Sequence, residues 1–164
     1  MKQPSPAEKI FRSADVASLR EVCKNLQKAG KKVVFTNGCF DILHRGHVHY
    51  LYEAANLGDY LVIGMNTDDS VARLKGPSRP VNTTEDRAFV LAGLACCDAV
   101  VFFEEDTPQE VIEFLSPDVL VKGGDYRESE IAGAEYIKSK GGEVVIIPFV
   151  TGYSTTDTIR KING

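Results

Sequence analysis

At 164 residues the chain is sized for one α/β domain whose core needs neither disulfides nor a structural metal. A composition of 43% hydrophobic and 26% charged residues excludes a disordered or membrane chain. With 19 Lys and Arg against 23 Asp and Glu, a net charge of -4 and no basic run, it does not read as a nucleic-acid binder.

Ser13 is placed to cap a helix to about Ala29, since Val16, Leu19, Val22, Cys23 and Leu26 recur at helical spacing and Gly30 supplies a stop. Lys32 to Thr36 is a short β-branched, apolar run of the kind buried on both faces of a parallel sheet. A helix from near His47 to Asn56 and a strand at Tyr60 to Met65 complete a β-α-β unit. A short helix from Asp68 to Leu74 leads into Lys-Gly-Pro-Ser-Arg-Pro at 75 to 80, which is expected to be a mobile loop. Thr83 or Thr84 caps a helix over Arg87 to Ala95, and Ala99 to Phe103 is the third strand. Thr107-Pro108 opens a helix through Leu115 with proline at its first position, followed by a strand at Val119 to Val121. A helix around Glu130 to Ser139 stops at Gly141-Gly142, Glu143 to Phe149 is the fifth strand, and Thr151 to Thr156 caps a C-terminal helix. The alternation predicts a Rossmann-like, doubly wound five-stranded parallel sheet in a single domain, with ligands at the carboxyl ends of the strands. Residues 1–30 are expected to form a helical segment packed on a domain of residues 31–164.

Cys23, Cys39, Cys96 and Cys97 have neither CxxC spacing nor a secreted-domain framework, so reduced thiols are expected. Met1 to Ser13 is polar with two prolines and there is no apolar stretch of roughly 18 residues, which predicts a cytoplasmic protein with no membrane partner.

The stretch that carries chemistry is Thr36-Asn37-Gly38-Cys39-Phe40-Asp41-Ile42-Leu43-His44-Arg45-Gly46-His47, between the first strand and the next helix. A helix beginning near Gly46 puts His44 and His47 about one turn apart at its amino end, beside free backbone N–H groups. Two imidazoles and a helix N-terminus can hold a triphosphate and stabilise the charge that develops as pyrophosphate departs. Gly46 leaves room for a nucleotide to approach the backbone. Two other readings compete: a zinc pair, for which Cys39 is the only nearby further ligand, and plain surface or core histidines. The strand-glycine-histidine-helix context favours phosphate. His49 falls on a different helical face and reads as structural.

These residues, with Val-Lys-Gly-Gly-Asp-Tyr at 121 to 126 and Ser-Thr-Thr at 154 to 156, resemble the HxGH nucleotidyltransferases of the cytidylyltransferase-like superfamily. The motif set is most similar to the adenylyltransferase domain of ADP-heptose synthase. The resemblance covers nearly the whole chain and implies transfer of AMP from ATP, with Mg2+, to D-glycero-β-D-manno-heptose 1-phosphate. The products would be ADP-heptose, for lipopolysaccharide core synthesis, and pyrophosphate. It also implies a homodimer, for which Leu91, Leu94 and the Cys96-Cys97 region could offer apolar surface. No kinase portion is present, so a separate sugar kinase would supply the acceptor. CTP-dependent transfer to glycerol 3-phosphate or a related alcohol phosphate is the alternative, and a catalytically silent nucleotide-binding module is the second.

By resemblance, His44 and His47 contact the triphosphate, and Asn37, Gly38, Cys39, Phe40 and Asp41 line the site; Asp41 reads equally as a turn-former. Cys39 reads better as a small packing residue than as a nucleophile. Lys75 matches a phosphate-binding lysine, though a solvated lysine is an equal reading from the residues alone. Arg87 could reach a phosphate, but a salt bridge to Glu85 or Asp86 is the preferred reading. Lys122, Gly123, Gly124 and Asp125 are placed at the base and ribose, with Asp125 on the ribose. Ser154, Thr155 and Thr156 suit the β and γ phosphates and can cap the last helix at the same time. No resident metal ligands are expected. One departure stands out: the heptose enzymes typically have Gly-Arg-Ser-Thr-Thr where this chain reads Gly152-Tyr153-Ser154-Thr155-Thr156. If that arginine binds the triphosphate or the sugar phosphate, Tyr153 weakens the site, passes the task to Arg79 or Arg160, or marks a different acceptor.

Overall fold

A computed structural model of the protein describes residues 4–164. The elements in chain order are β1 (Ile10–Phe11), α1 (Val16–Lys28), β2 (Val33–Gly38), α2 (Arg45–Ala55), β3 (Tyr60–Asn66), α3 (Asp68–Lys75) and α4 (Thr84–Ala92). They continue with β4 (Ala99–Phe103), α5 (Gln109–Leu115), β5 (Val119–Gly123), α6 (Ala134–Ser139), β6 (Glu143–Ile147) and α7 (Thr155–Asn163). All five ladders are parallel, and the strand order is β1-β4-β3-β2-β5-β6.

The expected five-stranded sheet therefore has a sixth member, the two-residue edge strand β1, which pairs Ile10 with Val100 and Phe11 with Val101. Two residues are too few to show any periodicity, so nothing in the sequence marks them. Of the segment expected at residues 1–30, residues 1–3 lie outside the described residues. The rest is helical only in part, with 3-10 turns at Pro6–Lys9 and Ser13–Asp15 before α1. Asp15, not Ser13, stands at the N-cap of α1.

Strand residues alternate between two cores, as a sheet covered on both faces requires. Val34, Ile63, Val100 and Val121 pack with Leu51 of α2 and Leu91 of α4, whereas Val33, Phe35, Val62 and Leu120 pack with Leu19 of α1, Ile112 of α5 and Ile137 of α6. Leu91, Cys96 and Cys97 are buried and Leu94 packs against the first core, so the region expected to offer apolar surface is interior. On α4 the exposed apolar side chains are instead Phe89 and Val90.

Several element ends differ from expectation for local reasons. The fourth helix starts at Thr84, because the Thr83 hydroxyl accepts the Asp86 N–H, and it ends before Gly93. Pro108 is the N-cap of α5 and not its first helical residue. The expected helix over Glu130 to Ser139 splits into a 3-10 turn at Glu128–Glu130 and α6, divided at Gly133 with φ of 83°. No described helix is long and apolar enough to cross a membrane.

From β2 the chain moves outward through β3 to β4, then returns to place β5 on the other side of β2. The strand order thus reverses between β2 and β5, and their carboxyl ends open a crevice there.

Candidate active site

A cleft of about 670 Å³ occupies that crevice. It collects the end of β2 with its following loop, the amino end of α2, the end of α3, the end of β5 and the start of α7. Asn37, Gly38, Cys39, Phe40, Asp41, His44, Gly46, His47, Lys75, Lys122, Ser154, Thr155 and Thr156 all line it.

The loop after β2 is built for close contact. A Cβ on Gly38 would meet the Phe40 ring at 2.9 Å, so a larger residue there would have to displace that ring. Phe40 itself has φ of 47°, a left-handed conformation that costs a non-glycine residue about 1 kcal/mol or more. It is held by its surroundings: the Phe40 ring stands edge-on to His47 at 5.5 Å, and the preceding Cys39 carbonyl accepts an N–H from Arg87 at 2.7 Å. The Cys39 thiol is pushed up by burial, which keeps it protonated and unsuited to nucleophilic attack.

His44 is the N-cap of α2, and Arg45, not Gly46, begins the helix. The two imidazoles cap one another's backbone: Nδ1 of His44 accepts the His47 N–H and Nδ1 of His47 accepts the His44 N–H, each at 3.4 Å. The rings stack with centroids 3.8 Å apart and planes 16° from parallel. Burial, reinforced by the charge His44 would carry, brings His47 down to about 4, and burial also lowers His44. Both rings are therefore neutral near pH 7. Because each Nδ1 accepts, the proton belongs on Nε2, leaving an N–H donor on each ring at the end of α2 where backbone N–H groups are also unpaired. A Cβ on Gly46 would lie 3.0 Å from Cβ of Tyr153 and 3.1 Å from the His44 ring. The absent side chain thus lets the segment before α7 close over the helix end, with Tyr153 6.1 Å from the His44 ring.

Asp41 lines the cleft but is fully engaged. Its carboxylate, 1% exposed, accepts the Arg79 Nε–H at 2.6 Å and the backbone N–H groups of Val81 and Asn82 at 2.8 and 3.0 Å. Burial alone would raise its pKa, but these hydrogen bonds and the guanidinium outweigh it and hold the carboxyl below its ordinary range. The segment expected to be mobile is thereby tied to the histidine loop. Lys75, expected as the first residue of that segment, is instead the last residue of α3, and its side chain is exposed in the cleft.

Lys122 lines the opposite side, half-buried, with its ammonium 3.5 Å from Asn37 Oδ1 and 5.3 Å from the Tyr126 ring centroid. Burial lowers its pKa, and the charge of Lys75 lowers it further. Ser154 caps α7 by accepting the Asp157 N–H at 3.0 Å, and Thr155 Oγ1 donates to the Ile42 carbonyl at 3.3 Å, fastening α7 to the histidine loop.

Arg87, Gly124 and Asp125 stand outside the cleft wall. Arg87 is buried and donates to the carbonyls of Cys39, Asn66 and Asn82 and to Asp68 at 2.7 Å, not to Glu85 or Asp86. Its helical neighbours at i-1 and i-2 point elsewhere, and Glu85 pairs with Arg12 instead. The chain turns at Gly124, whose N–H is held by the Ile147 carbonyl, and carries Asp125 into solvent. His49 is exposed and away from the cleft. Arg79 lines the cleft, while Arg160 is exposed beside Asp157. Sequence reasoning missed Tyr50, Asn66, Tyr126 and Phe149 of the lining; only the position of Tyr50 one turn beyond His47 offered a signal.

Among the described residues no group of three or more His, Cys, Asp or Glu side chains is placed to hold a metal ion.

The sequence matches the cytidylyltransferase-like family over residues 35–161. It is 56% identical over 147 residues to the bifunctional protein HldE of Vibrio cholerae, covering 90% of this chain and 31% of that protein. HldE of Syntrophotalea carbinolica is 54% identical over 145 residues, covering 88% and 30%. The chain thus spans about a third of the length of these curated relatives. A lipopolysaccharide core biosynthesis protein from Thermoplasma volcanium superposes with a TM-score of 0.61 at 31% identity, over 76% of this chain and all of that one. A match across most of the chain, on the sheet and the histidine loop that build the cleft, makes this protein a member of the cytidylyltransferase-like family of nucleotidyltransferases.

Proposed function

We propose that the chain is the adenylyltransferase that joins AMP from ATP to D-glycero-β-D-manno-heptose 1-phosphate, giving ADP-heptose and pyrophosphate for lipopolysaccharide core synthesis. The observation that carries this reading is the stacked, neutral His44–His47 pair presenting Nε2–H donors at the amino end of α2. The motif resemblance to ADP-heptose synthase and the likeness to HldE and to the lipopolysaccharide core protein support the acceptor.

The acceptor phosphate, whose second pKa is near 6, is already a nucleophile at neutral pH. One of its oxygens attacks the α-phosphorus of ATP; a new P–O bond forms as the bond to the β,γ-diphosphate breaks. No enzyme nucleophile is required. His44 and His47 donate to the phosphates, Lys75 and Lys122 offset the charge that develops, and the N-terminus of α7 with Ser154, Thr155 and Thr156 receives the distal phosphates. Mg2+ would enter with ATP as part of that substrate and would add positive charge to the triphosphate. The reading includes a cytoplasmic location, a homodimer, and a sugar kinase step supplied outside these 164 residues.

The test is pyrophosphate release with Mg2+, crossing ATP and CTP with heptose 1-phosphate and glycerol 3-phosphate, with His47→Ala as control. Turnover confined to ATP and heptose phosphate and lost in the control is expected. Turnover with CTP and glycerol phosphate would overturn the substrates, and nucleotide binding without turnover would overturn the enzyme.

A further inference from the structure

The cleft opens because two adjacent strands part. β2 and β5 pair only at Val34↔Val119 and Phe35↔Leu120, although β2 stays in register with β3 as far as Gly38↔Met65 and β5 with β6 as far as Gly123↔Ile147. Beyond Phe35 and Leu120 the facing edges lack ladder bonds. Into this gap comes the phenol of Tyr50, from α2. Its oxygen lies 2.5 Å from Thr36 Oγ1 and 3.4 Å from the Val121 carbonyl, one residue past the last rung on each strand. The carbonyl can only accept, so Tyr50 donates to Val121 and Thr36 donates to Tyr50. Tyr50 and Thr36 are buried, and burial pushes the phenol up to about 12, so the hydroxyl keeps its proton across the working range. Tyr50 follows His47 by one helical turn and lines the same cleft.

We propose that Tyr50 is a positioning residue: its hydroxyl replaces the missing rung between β2 and β5, sets the width of their split, and thereby fixes the height of His47 above the cleft floor. This rests on the adenylyltransferase reading. A side chain that spans both strands and belongs to the histidine helix transmits the strand separation to the reacting phosphates.

The experiment compares the wild type with Tyr50→Phe, Thr36→Val, Thr36→Ser and the Tyr50→Phe/Thr36→Val double variant. Readouts are melting temperature, steady-state kinetics well below melting, and amide exchange. Tyr50→Phe and Thr36→Val each lower kcat by about tenfold, the scale of one lost hydrogen bond in a positioned geometry, with KM for ATP within about twofold. The double variant falls no further than either single one, because both break one chain of bonds. Thr36→Ser, which keeps the hydroxyl, recovers most of the rate. In Tyr50→Phe, amide exchange quickens about tenfold at residues 36–38 and 121–123. A rate for Tyr50→Phe within twofold of the wild type, multiplying losses in the double variant, or unchanged exchange would overturn the proposal. A silent wild type would instead overturn the functional reading, and the exchange measurement would then decide this one.

Discussion

Replacing Asp41 with Asn tests whether the carboxylate is the clamp between the histidine loop and residues 76–82. The asparagine oxygen could still accept from Val81 or Asn82, but its NH2 would face the Arg79 guanidinium, donor against donor. The wild-type pair is 2.6 Å apart with side chains 16% and 1% exposed, so solvent screens it little. Breaking a buried pair by removing one partner costs about 3–5 kcal/mol, and the partial access of Arg79 to water argues for the lower end, about 3 kcal/mol. For a chain of this size that is a melting-temperature loss of about 6–12 °C by scanning calorimetry at pH 7. The pH dependence supplies a second check. The folded-state carboxyl lies below its ordinary value of 3.8, so the stability it contributes is complete above that value and is lost as pH falls through the lower folded pKa. The gap between wild type and Asp41→Asn should hold steady from pH 7 to about 5 and narrow below 3.8. A gap under about 2 °C at pH 7, or one that persists unchanged at the lowest pH where both fold, would refute the clamp.

The neutral histidine pair predicts that the His47 ring shows no NMR titration between pH 8 and 5.5; a midpoint between 6 and 7 would mean that the stacked geometry does not hold in solution. Because its folded pKa is depressed to about 4 from 6.5, the unfolded chain binds the extra proton in that window, so His47 lowers stability as pH falls from 6.5 toward 4. In His47→Ala, denaturant unfolding should lose that part of the pH slope. Arg87→Lys keeps the charge but not the fork that reaches three carbonyls and Asp68, and should lower stability by about 3 kcal/mol or more; a melting temperature within 2 °C of the wild type would contradict it. Gly46→Ala should raise KM for ATP by about tenfold, since the new methyl meets Tyr153 and the His44 ring near 3 Å; unchanged kinetics would show that the segment before α7 moves aside freely.

The parts of the fold legible in the sequence were those governed by neighbours along the chain. Val33 to Phe35 and Ala99 to Phe103 read as strands because both faces are buried, and Thr83 and Ser154 read as caps because a hydroxyl meets an N–H three residues on. The histidine pair was legible for the same reason, being three residues apart at a helix start. What escaped depends on closures over long sequence distance. Asp41 and Arg79 are separated by 38 residues, and no periodicity links them. The partners of Arg87 lie on three other segments, whereas the sequence offers only adjacent acids that a helix turns away from it. The apolar Leu91 and Cys97 gave no sign of which side they face, since burial depends on the neighbouring layer and not on residue type alone.

The same closures explain how a chain with net charge -4 can offer a site to a triphosphate. The cleft contains acids, but Asp41 is neutralised by Arg79 and Asp106 by Arg73, while Glu130 accepts the Arg127 backbone N–H. Lys75 and Lys122 have no carboxylate partner among the described residues and face the cleft from opposite sides, close enough that the charge of Lys75 is felt at Lys122. Neutral histidines add donors without repelling these ammonium groups, and the amino ends of α2 and α7 add unpaired N–H groups. Local sign is therefore set by which acids are consumed in holding loops together. Asp41 belongs to both accounts: the carboxylate that anchors the loop is also the one whose pairing with Arg79 keeps negative charge away from the phosphates. In Asp41→Asn the loop loosens while Arg79 is freed, so phosphate affinity should suffer less than stability does, and a variant that loses both in equal measure would show that the loop's position, and not its charge, governs binding.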